Sequence, residues 1–349
     1  MVPQISTPLT EAFGIEKPIM LAGMNVAASP ELAAAVTNAG GLGVFGGVTF
    51  TPKIFRSKLE ELKENLKDKN APFGVDLLLP QVGGNARKTN YDYTKGHLAE
   101  LIDITIEFGA KLFVSAVGVP PQWVVEKLHK NGIYVAGIIG HPKHVQGVLK
   151  AGSDMIIYQG GEGGGHTGDV PLSVLGPRVV DLCKGHKSPL TGKPILTIAA
   201  GGIWRGKSLA ASLMYGSDGV WVGTRFVACT ESGAPKSHKE SVLSANHESD
   251  ARTIIFTGRP LRVKTSDYIK KWEEQPQKIK ELTSKGIIPY QYDSEKDQVD
   301  ESVWPHLMGK CAAVIDDIKP AAEIMDDFMI EAVEALQQGH KYVQGQARL

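Results

Sequence analysis

The chain alternates short apolar segments with amphipathic ones over roughly its first 225 residues, and this alternation restricts the fold most. Continuous apolar strands separated by amphipathic helices are typical of parallel strands covered by helices. We therefore predict an α/β fold, a (β/α)8 TIM barrel. An open doubly wound sheet is the alternative. The eight predicted strands are 18–24, 42–47, 73–79, 111–118, 133–140, 154–160, 194–202 and 218–223.

Helix signals between these segments support the alternation. SPELAAAVTNAGG has Ser29 as a candidate N-cap, Pro30 in the first turn and Gly40 and Gly41 at its end. A similar signal begins at Thr51 in TPKIFRSKLEELKENLKDK. Such signals predict that most apolar segments are followed by a helix.

The pattern changes after about residue 230, which suggests a second region. We predict a barrel over 1–230, a smaller C-terminal lid or substrate-binding region over 231–312, and a C-terminal helical part over 313–349 that packs back on the barrel. Four aromatic residues of the middle region either close over a ligand or fill the core of the lid. They are Trp272, Tyr290, Tyr292 and Trp304.

Composition and charge argue against several classes of protein. Lys plus Arg and Asp plus Glu both number 38, so the chain lacks the basic surplus of a nucleic-acid-binding protein. No run approaches the roughly 20 apolar residues of a membrane helix, and the N-terminus has no signal-peptide pattern. Three separated cysteines, without a CxxC motif or a zinc-type cluster, favour a reduced cytoplasmic protein without a metal. The final tripeptide ARL weakly resembles a peroxisomal signal.

Glycines follow the last predicted strands, at the end of a barrel where active sites lie. Gly201 and Gly202 follow one strand, and Gly223 and Thr224 follow the next. Loops at these positions often bind phosphate through backbone N–H groups. We predict a phosphate-bearing ligand here; the alternative is two tight turns.

One histidine stands in the most glycine-rich stretch, QGGEGGGHTGDVP. This loop follows the sixth predicted strand and faces the same end of the barrel. With a pKa near neutrality, His166 is a candidate to take a proton from an acidic carbon or to stabilise an anion. The alternative is a histidine satisfied by local hydrogen bonds.

Several motifs in order resemble the nitronate monooxygenase family, formerly called 2-nitropropane dioxygenases. They are LAGM, SPELAAAVTNAGGLGVFGG, FGVDLLL, QGGEGGGHTGDV, PILTIAAGGI, DGVWVGTRF and IIFTGRPLR, and they cover residues 18 to about 264. The resemblance implies a TIM-barrel flavoprotein with FMN and a lid. It implies phosphate contacts at Gly202 and at Trp221, Val222, Gly223 and Thr224, flavin contacts at Met24, Gln159 and Gly164, and His166 as the catalytic residue.

This chain departs from the family at Asp76, where the family usually has asparagine. An acidic group near the flavin would alter hydrogen bonding and disfavour the reduced, anionic flavin. Residues 79–96 also resemble an insertion and are candidates to shape substrate entry.

The resemblance implies an enzyme that oxidises alkyl nitronates with O2 through a flavin semiquinone. His166 either orients the nitronate oxygens or removes the α-proton of a neutral nitroalkane. Alternatives are an NAD(P)H-dependent quinone or enoyl reductase, a non-catalytic flavin-binding protein, and a phosphosugar-type barrel isomerase. The expected partners are a small-molecule substrate and O2, with homo-oligomerisation left open.

Overall fold

Eight parallel strands form a sheet that closes on itself. The computed structural model describes residues 2–296, 299 and 303–343. The sheet order is β1-β9-β8-β6-β5-β4-β3-β2, and a parallel bridge between Met20 and Leu42 joins its two ends. The strands are β1 (Ile19–Leu21), β2 (Gly43–Gly46), β3 (Phe73–Leu78), β4 (Leu112–Ala116), β5 (Tyr134–Ile139), β6 (Met155–Gln159), β7 (Gly165–His166), β8 (Leu196–Ala200), β9 (Gly219–Val222), β10 (Asp250–Thr253) and β11 (Leu261–Lys264). The predicted barrel and its eight strands are confirmed, and the open sheet is wrong.

Helices between the barrel strands cover them from outside, and further helices lie after residue 230. They are α1 (Pro8–Phe13), α2 (Pro30–Asn38), α3 (Pro52–Asn65), α4 (Leu98–Glu107), α5 (Gln122–Lys130), α6 (Val145–Lys150), α7 (Leu172–Cys183), α8 (Gly206–Met214), α9 (Thr224–Val227), α10 (Lys236–Leu243), α11 (Asp267–Glu273), α12 (Pro276–Ser284), α13 (Pro289–Ser294) and α14 (Ala321–His340). The predicted caps form: Oγ of Ser29 accepts from the Leu32 N–H at 3.2 Å, and Oγ1 of Thr51 accepts from the Ile54 N–H at 3.4 Å. Each cap satisfies one of the N–H groups that a helix start leaves unpaired.

Strand alternation divides the apolar side chains between two cores. Met20, Val114 and Ile157 belong to the cluster that fills the barrel. Their neighbours Leu21, Phe113 and Ile156 belong to the larger cluster between strands and helices. The barrel is therefore a packed core, and a ligand must bind at one end of it.

The last helix, α14, packs against α8 and α2. Its Met325, Phe328 and Met329 are buried in the cluster between strands and helices. These side chains stabilise the helix on the barrel wall, because apolar burial is the main favourable term in packing. The division into regions at residues 230 and 312 stays a prediction.

A second, three-stranded sheet joins the glycine-rich loop to the lid region (231–312). Strand β11 pairs antiparallel with β10 and with β7, so that Leu261 lies opposite His166 and Arg262 opposite Gly165. The arginine Nε also donates to the Gly161 carbonyl at 3.0 Å. These bonds order a loop whose composition would otherwise make it flexible.

The lid region has an apolar core of its own. Phe256, Trp272 and Ile279 are buried there, and the Trp272 indole donates to the Asp293 carboxylate at 2.8 Å. Tyr290 and Trp304 pack edge to face, with ring centroids 5.2 Å apart. The predicted lid aromatics therefore lie in or against this core.

In the described part of the chain, no helix has the length and apolar character needed to cross a membrane. The described residues also contain no group of three or more His, Cys, Asp or Glu side chains placed to bind a metal ion. The three cysteines are buried with free thiols. The ARL tripeptide lies outside the described residues, and both the compartment and the oligomeric state stay predictions.

Candidate active site

His166 is held from both sides at the carboxyl end of the barrel. Its Nε2 lies 3.1 Å from Oγ1 of Thr257, on the loop between β10 and β11. Its carbonyl oxygen accepts a hydrogen bond from Nε2 of Gln159, at the end of β6, at 2.8 Å. The barrel thus fixes the backbone at residue 166, and the lid region fixes the imidazole ring. Sequence reasoning missed Thr257, which lies 91 residues away.

The electrostatic surroundings of His166 differ from the prediction. Burial, followed by the positive charge of Arg259, lowers the pKa of His166 to about 4. The expected pKa near neutrality is therefore wrong, because a desolvated imidazole next to a cation disfavours the imidazolium form. At neutral pH the ring is uncharged, so it can donate one hydrogen bond and accept another, but it is a weak base.

A segment that the sequence analysis did not single out packs into the same region. The N–H of Gly309 donates to Oγ1 of Thr224 at 2.9 Å, and the N–H of Lys310 donates to the Glu162 carbonyl at 2.9 Å. A Cβ on Gly164 would lie 2.6 Å from the Gly309 nitrogen. Gly164 and Thr224 therefore lie next to each other across this segment. In the sequence, the glycine of LMGK, Gly309, is the feature of this segment that indicates such a close approach of two backbones.

The backbone at the ends of β8 and β9 is suited to an anion. Gly201 and Gly202 have φ values of +90° and +72°, which favour glycine. Within the described residues, no protein acceptor receives the N–H groups of Gly201, Gly202, Gly223 or Thr224. The Thr224 hydroxyl accepts from the Gly309 N–H and also lies within hydrogen-bonding reach of the buried Cys311 thiol. Unpaired N–H groups on two adjacent loops, with a hydroxyl, fit the phosphate of FMN.

Asp76 lies inside the barrel beneath this end. It is buried on β3, and a Cβ on Gly23 would overlap its carboxyl group. Its Oδ1 has no hydrogen-bond partner among the described residues. Burial raises the pKa of Asp76 well above its ordinary value. A raised pKa favours the protonated acid, which can donate a hydrogen bond as the family's asparagine amide does. An unpartnered donor here fits a polar ring such as that of a flavin.

The other predicted cofactor residues line β1 and β9. A Cβ on Gly223 would lie 3.6 Å from Sδ of Met24, so these two positions are in contact. Trp221 fills the barrel interior. The side chain of Val222 points away, into the cluster between strands and helices. Val222 thus offers a ligand only its backbone.

A cavity of about 1310 Å³ opens beside His166 and Gln159. Residues from the segment 79–96 form one wall, and Arg252, Arg259 and Pro260 of the lid region line another part. A Cβ on Gly258 would overlap Oγ1 of Thr89, so the lid loop and this segment touch directly. Residues 201, 202, 223 and 224 do not line the cavity. The site therefore has two adjacent parts that meet at the loop carrying His166.

Asp76→Asn should change how stability depends on pH. Because the folded state has the raised pKa, it keeps a proton that the unfolded chain loses near pH 4. The wild type therefore loses stability as pH rises from about 4 toward its raised folded-state pKa, and the variant does not. We expect the melting temperature of the apoprotein variant to rise relative to wild type over this range. The exposed Asp181→Asn, as control, should follow the wild type; parallel curves for Asp76→Asn would contradict a buried, protonated acid.

Comparison with known proteins finds one matching family and several similar chains. The model of a family described as nitronate monooxygenase matches residues 6–331. A Mycobacterium tuberculosis protein is 35% identical over 270 residues, 77% of this chain and 69% of its own. Its name is (3aS,4S,5R,7aS)-5-hydroxy-7a-methyl-1-oxo-octahydro-1H-indene-4-carboxyl-CoA dehydrogenase.

Two further relatives match almost the whole chain. A probable nitronate monooxygenase from Staphylococcus saprophyticus is 29% identical and covers 93% of this chain and 99% of its own. The structure of FabK from Thermotoga maritima superposes with a TM-score of 0.78 at 29% identity, covering 97% of this chain and 100% of that one. The sequence relatives thus carry names of more than one oxidoreductase reaction.

Proposed function

The chain belongs to the nitronate monooxygenase family, and on that premise we propose that this oxidoreductase uses FMN to oxidise alkyl nitronates with O2. The observation that carries the proposal is the position of His166. An uncharged imidazole lies in the wall of a cavity at the carboxyl end of the barrel, beside the cationic Arg259. A cation and a hydrogen-bond donor together suit a small organic anion such as a nitronate.

The residues proposed to hold FMN form two groups. Gly201, Gly202, Gly223 and Thr224 would bind its phosphate, with Trp221 and Val222 contributing backbone atoms. Met24, Asp76, Gln159 and Gly164 would contact its ring system. When bound, FMN supplies the capacity to accept electrons from the substrate and to pass them to O2.

The remaining chemistry belongs to the side chains of this protein. The positive charge of Arg259 would attract the nitronate into the cavity. His166, oriented by Thr257, would donate a hydrogen bond to a nitronate oxygen. With a neutral nitroalkane, the tautomer whose Nε2–H donates to Thr257 would accept the α-proton at Nδ1, leaving the nitronate in place. The lid region would keep water from the reacting carbon.

A second candidate is an NAD(P)H-dependent reductase of enoyl compounds on the same barrel. The specific observation in its favour is the cavity of about 1310 Å³, above the roughly 300–1,000 Å³ of common small-molecule pockets. A short nitronate fills little of it. The non-catalytic and isomerase alternatives are set aside, because the family and its named relatives are oxidoreductases.

Oxygen uptake by the FMN-loaded protein separates the two candidates. We expect an alkyl nitronate to drive O2 consumption and release of nitrite without any nicotinamide cofactor. The reductase candidate instead requires oxidation of NADH or NADPH in the presence of an enoyl or quinone acceptor. No O2 uptake with a series of nitronates would contradict the proposal.

A further inference from the structure

Two arginines beside His166 have no ion-pair partner among the described residues, in a cavity whose lining also includes Asp92 and Asp169. Arg87, from the segment 79–96, and Arg259, from the loop between β10 and β11, both line this cavity. Within the described residues, no carboxylate lies within 4.0 Å of either guanidinium. The ion pairs of the described residues instead engage Arg56, Arg205, Arg225, Arg252 and Arg262.

The two arginines lie side by side where the walls of the cavity touch. Nη1 of Arg87 donates to the carbonyl oxygen of Gly258 at 3.5 Å. Nε of Arg259 donates in the opposite direction, to Oδ1 of Asn90 at 3.0 Å. Burial and, after it, the charge of Arg87 lower the pKa of Arg259. Most of the N–H donors on each guanidinium are left for another acceptor.

Two adjacent cations without a counterion are unfavourable, the more so where one is half-buried. A bound anion would remove this cost. Guanidinium groups bind phosphate oxygens through paired, charge-assisted hydrogen bonds. The pair therefore has the chemistry of a phosphate-binding site, separate from the backbone N–H groups at the ends of β8 and β9.

The size of the cavity indicates what the phosphate belongs to. His166 and the two arginines line the same space of about 1310 Å³, so one molecule can reach both. A short alkyl nitronate would leave most of that space to water. An extended molecule with a reactive end and a phosphorylated end would fill it.

We propose that Arg87 and Arg259 bind a phosphate group of an extended substrate or co-substrate whose reacting end lies at His166. The placement of the reacting end rests on the proposed function. Two sources share this chemistry: the phosphorylated adenosine of a coenzyme A thioester and that of NADPH. A short nitronate would then enter only as a small molecule that uses the inner part of the cavity.

Calorimetric titration of the FMN-loaded protein tests the site without turnover. The probes are coenzyme A, NADPH, NADH and inorganic phosphate. We expect coenzyme A or NADPH to bind, and Arg87→Gln and Arg259→Gln each to weaken that binding about 10- to 100-fold. Arg178→Gln is the matched control, because Arg178 is an exposed arginine of α7 outside the cavity. The Arg178→Gln variant should bind coenzyme A and NADPH with the same affinity as the wild type.

The outcomes are separable. Binding of coenzyme A assigns the thioester as the source, and binding of NADPH in preference to NADH assigns the nucleotide. If neither coenzyme A nor NADPH binds, or if Arg87→Gln binds with wild-type affinity, the proposal is overturned. Because Arg87 is exposed, the Arg87→Gln variant should fold, and thermal unfolding verifies this. A protein that binds coenzyme A through these arginines but never oxidises nitronates would refute the proposed function and leave the phosphate site standing.

Discussion

Replacing His166 with asparagine should slow oxidation of a neutral nitroalkane about 100-fold. Asparagine can still hydrogen-bond with Thr257, but it cannot accept the α-proton. General bases contribute about 10²- to 10⁴-fold, and the lower end applies because the pKa of His166 is only about 4. A preformed nitronate needs no proton removal, so its turnover should fall only about tenfold, the value of one lost hydrogen bond. Steady-state kcat/KM with both substrates measures the difference.

His144→Asn is the matched control for this experiment. His144 also lines the cavity, yet it makes no side-chain hydrogen bond to His166 or Thr257, so its loss should leave both rates unchanged. An equal fall with both substrates in His166→Asn would contradict the base role and leave only positioning. Unchanged rates would remove His166 from the mechanism.

The low pKa of His166 also fixes the pH dependence of the reaction. The uncharged form that acts as a base predominates above the pKa of about 4. Activity with a nitroalkane should therefore stay level as pH falls from 8 through 6.5 and should decline only toward pH 4. A decline centred near 6.5 would show an ordinary, solvated histidine.

Replacing Gly202 with valine should weaken FMN binding about 100-fold. At φ +72° a valine is strained, and its Cβ would lie 3.4 Å from Cβ of Glu162. Its methyl groups would also cover the N–H groups that are free at this loop. Loss of one or two charge-assisted hydrogen bonds to phosphate, at about 1.5–3 kcal/mol each, gives the expected change.

Gly192→Val separates the site from the backbone strain. Gly192 has φ +71° and nothing within 4 Å of an added Cβ, so it has the same strain in open space. Its FMN content, read from absorbance after dialysis, should equal that of the wild type. Equal FMN content in Gly202→Val would contradict the phosphate site.

The barrel could be predicted from the sequence because its determinants are local. Eight apolar segments, and caps such as Ser29 and Thr51, specify strands and helix starts within a few residues. The pair Gly201 and Gly202 is likewise a local signal of a tight turn, and both residues have positive φ values. These features do not depend on which distant segment packs beside them.

The rest of the site depends on contacts between distant segments. Thr257 reaches His166 through the pairing of β11 with β7, and Gly309 reaches Thr224 from 85 residues away. No local pattern encodes either contact. The pKa values of His166 and Asp76 could not be read from local sequence for the same reason, since burial by the whole fold lowers the first and raises the second.

An anaerobic visible spectrum of the FMN-loaded protein, taken before and after addition of an alkyl nitronate, tests whether this protein oxidises nitronates through a bound flavin. We expect a bound flavin whose oxidised absorption bands decrease on addition of the nitronate and return when O2 is admitted. A flavin spectrum that ignores the nitronate but bleaches with NADPH would contradict nitronate oxidation and favour the reductase. A folded protein that binds no flavin would contradict the cofactor site itself.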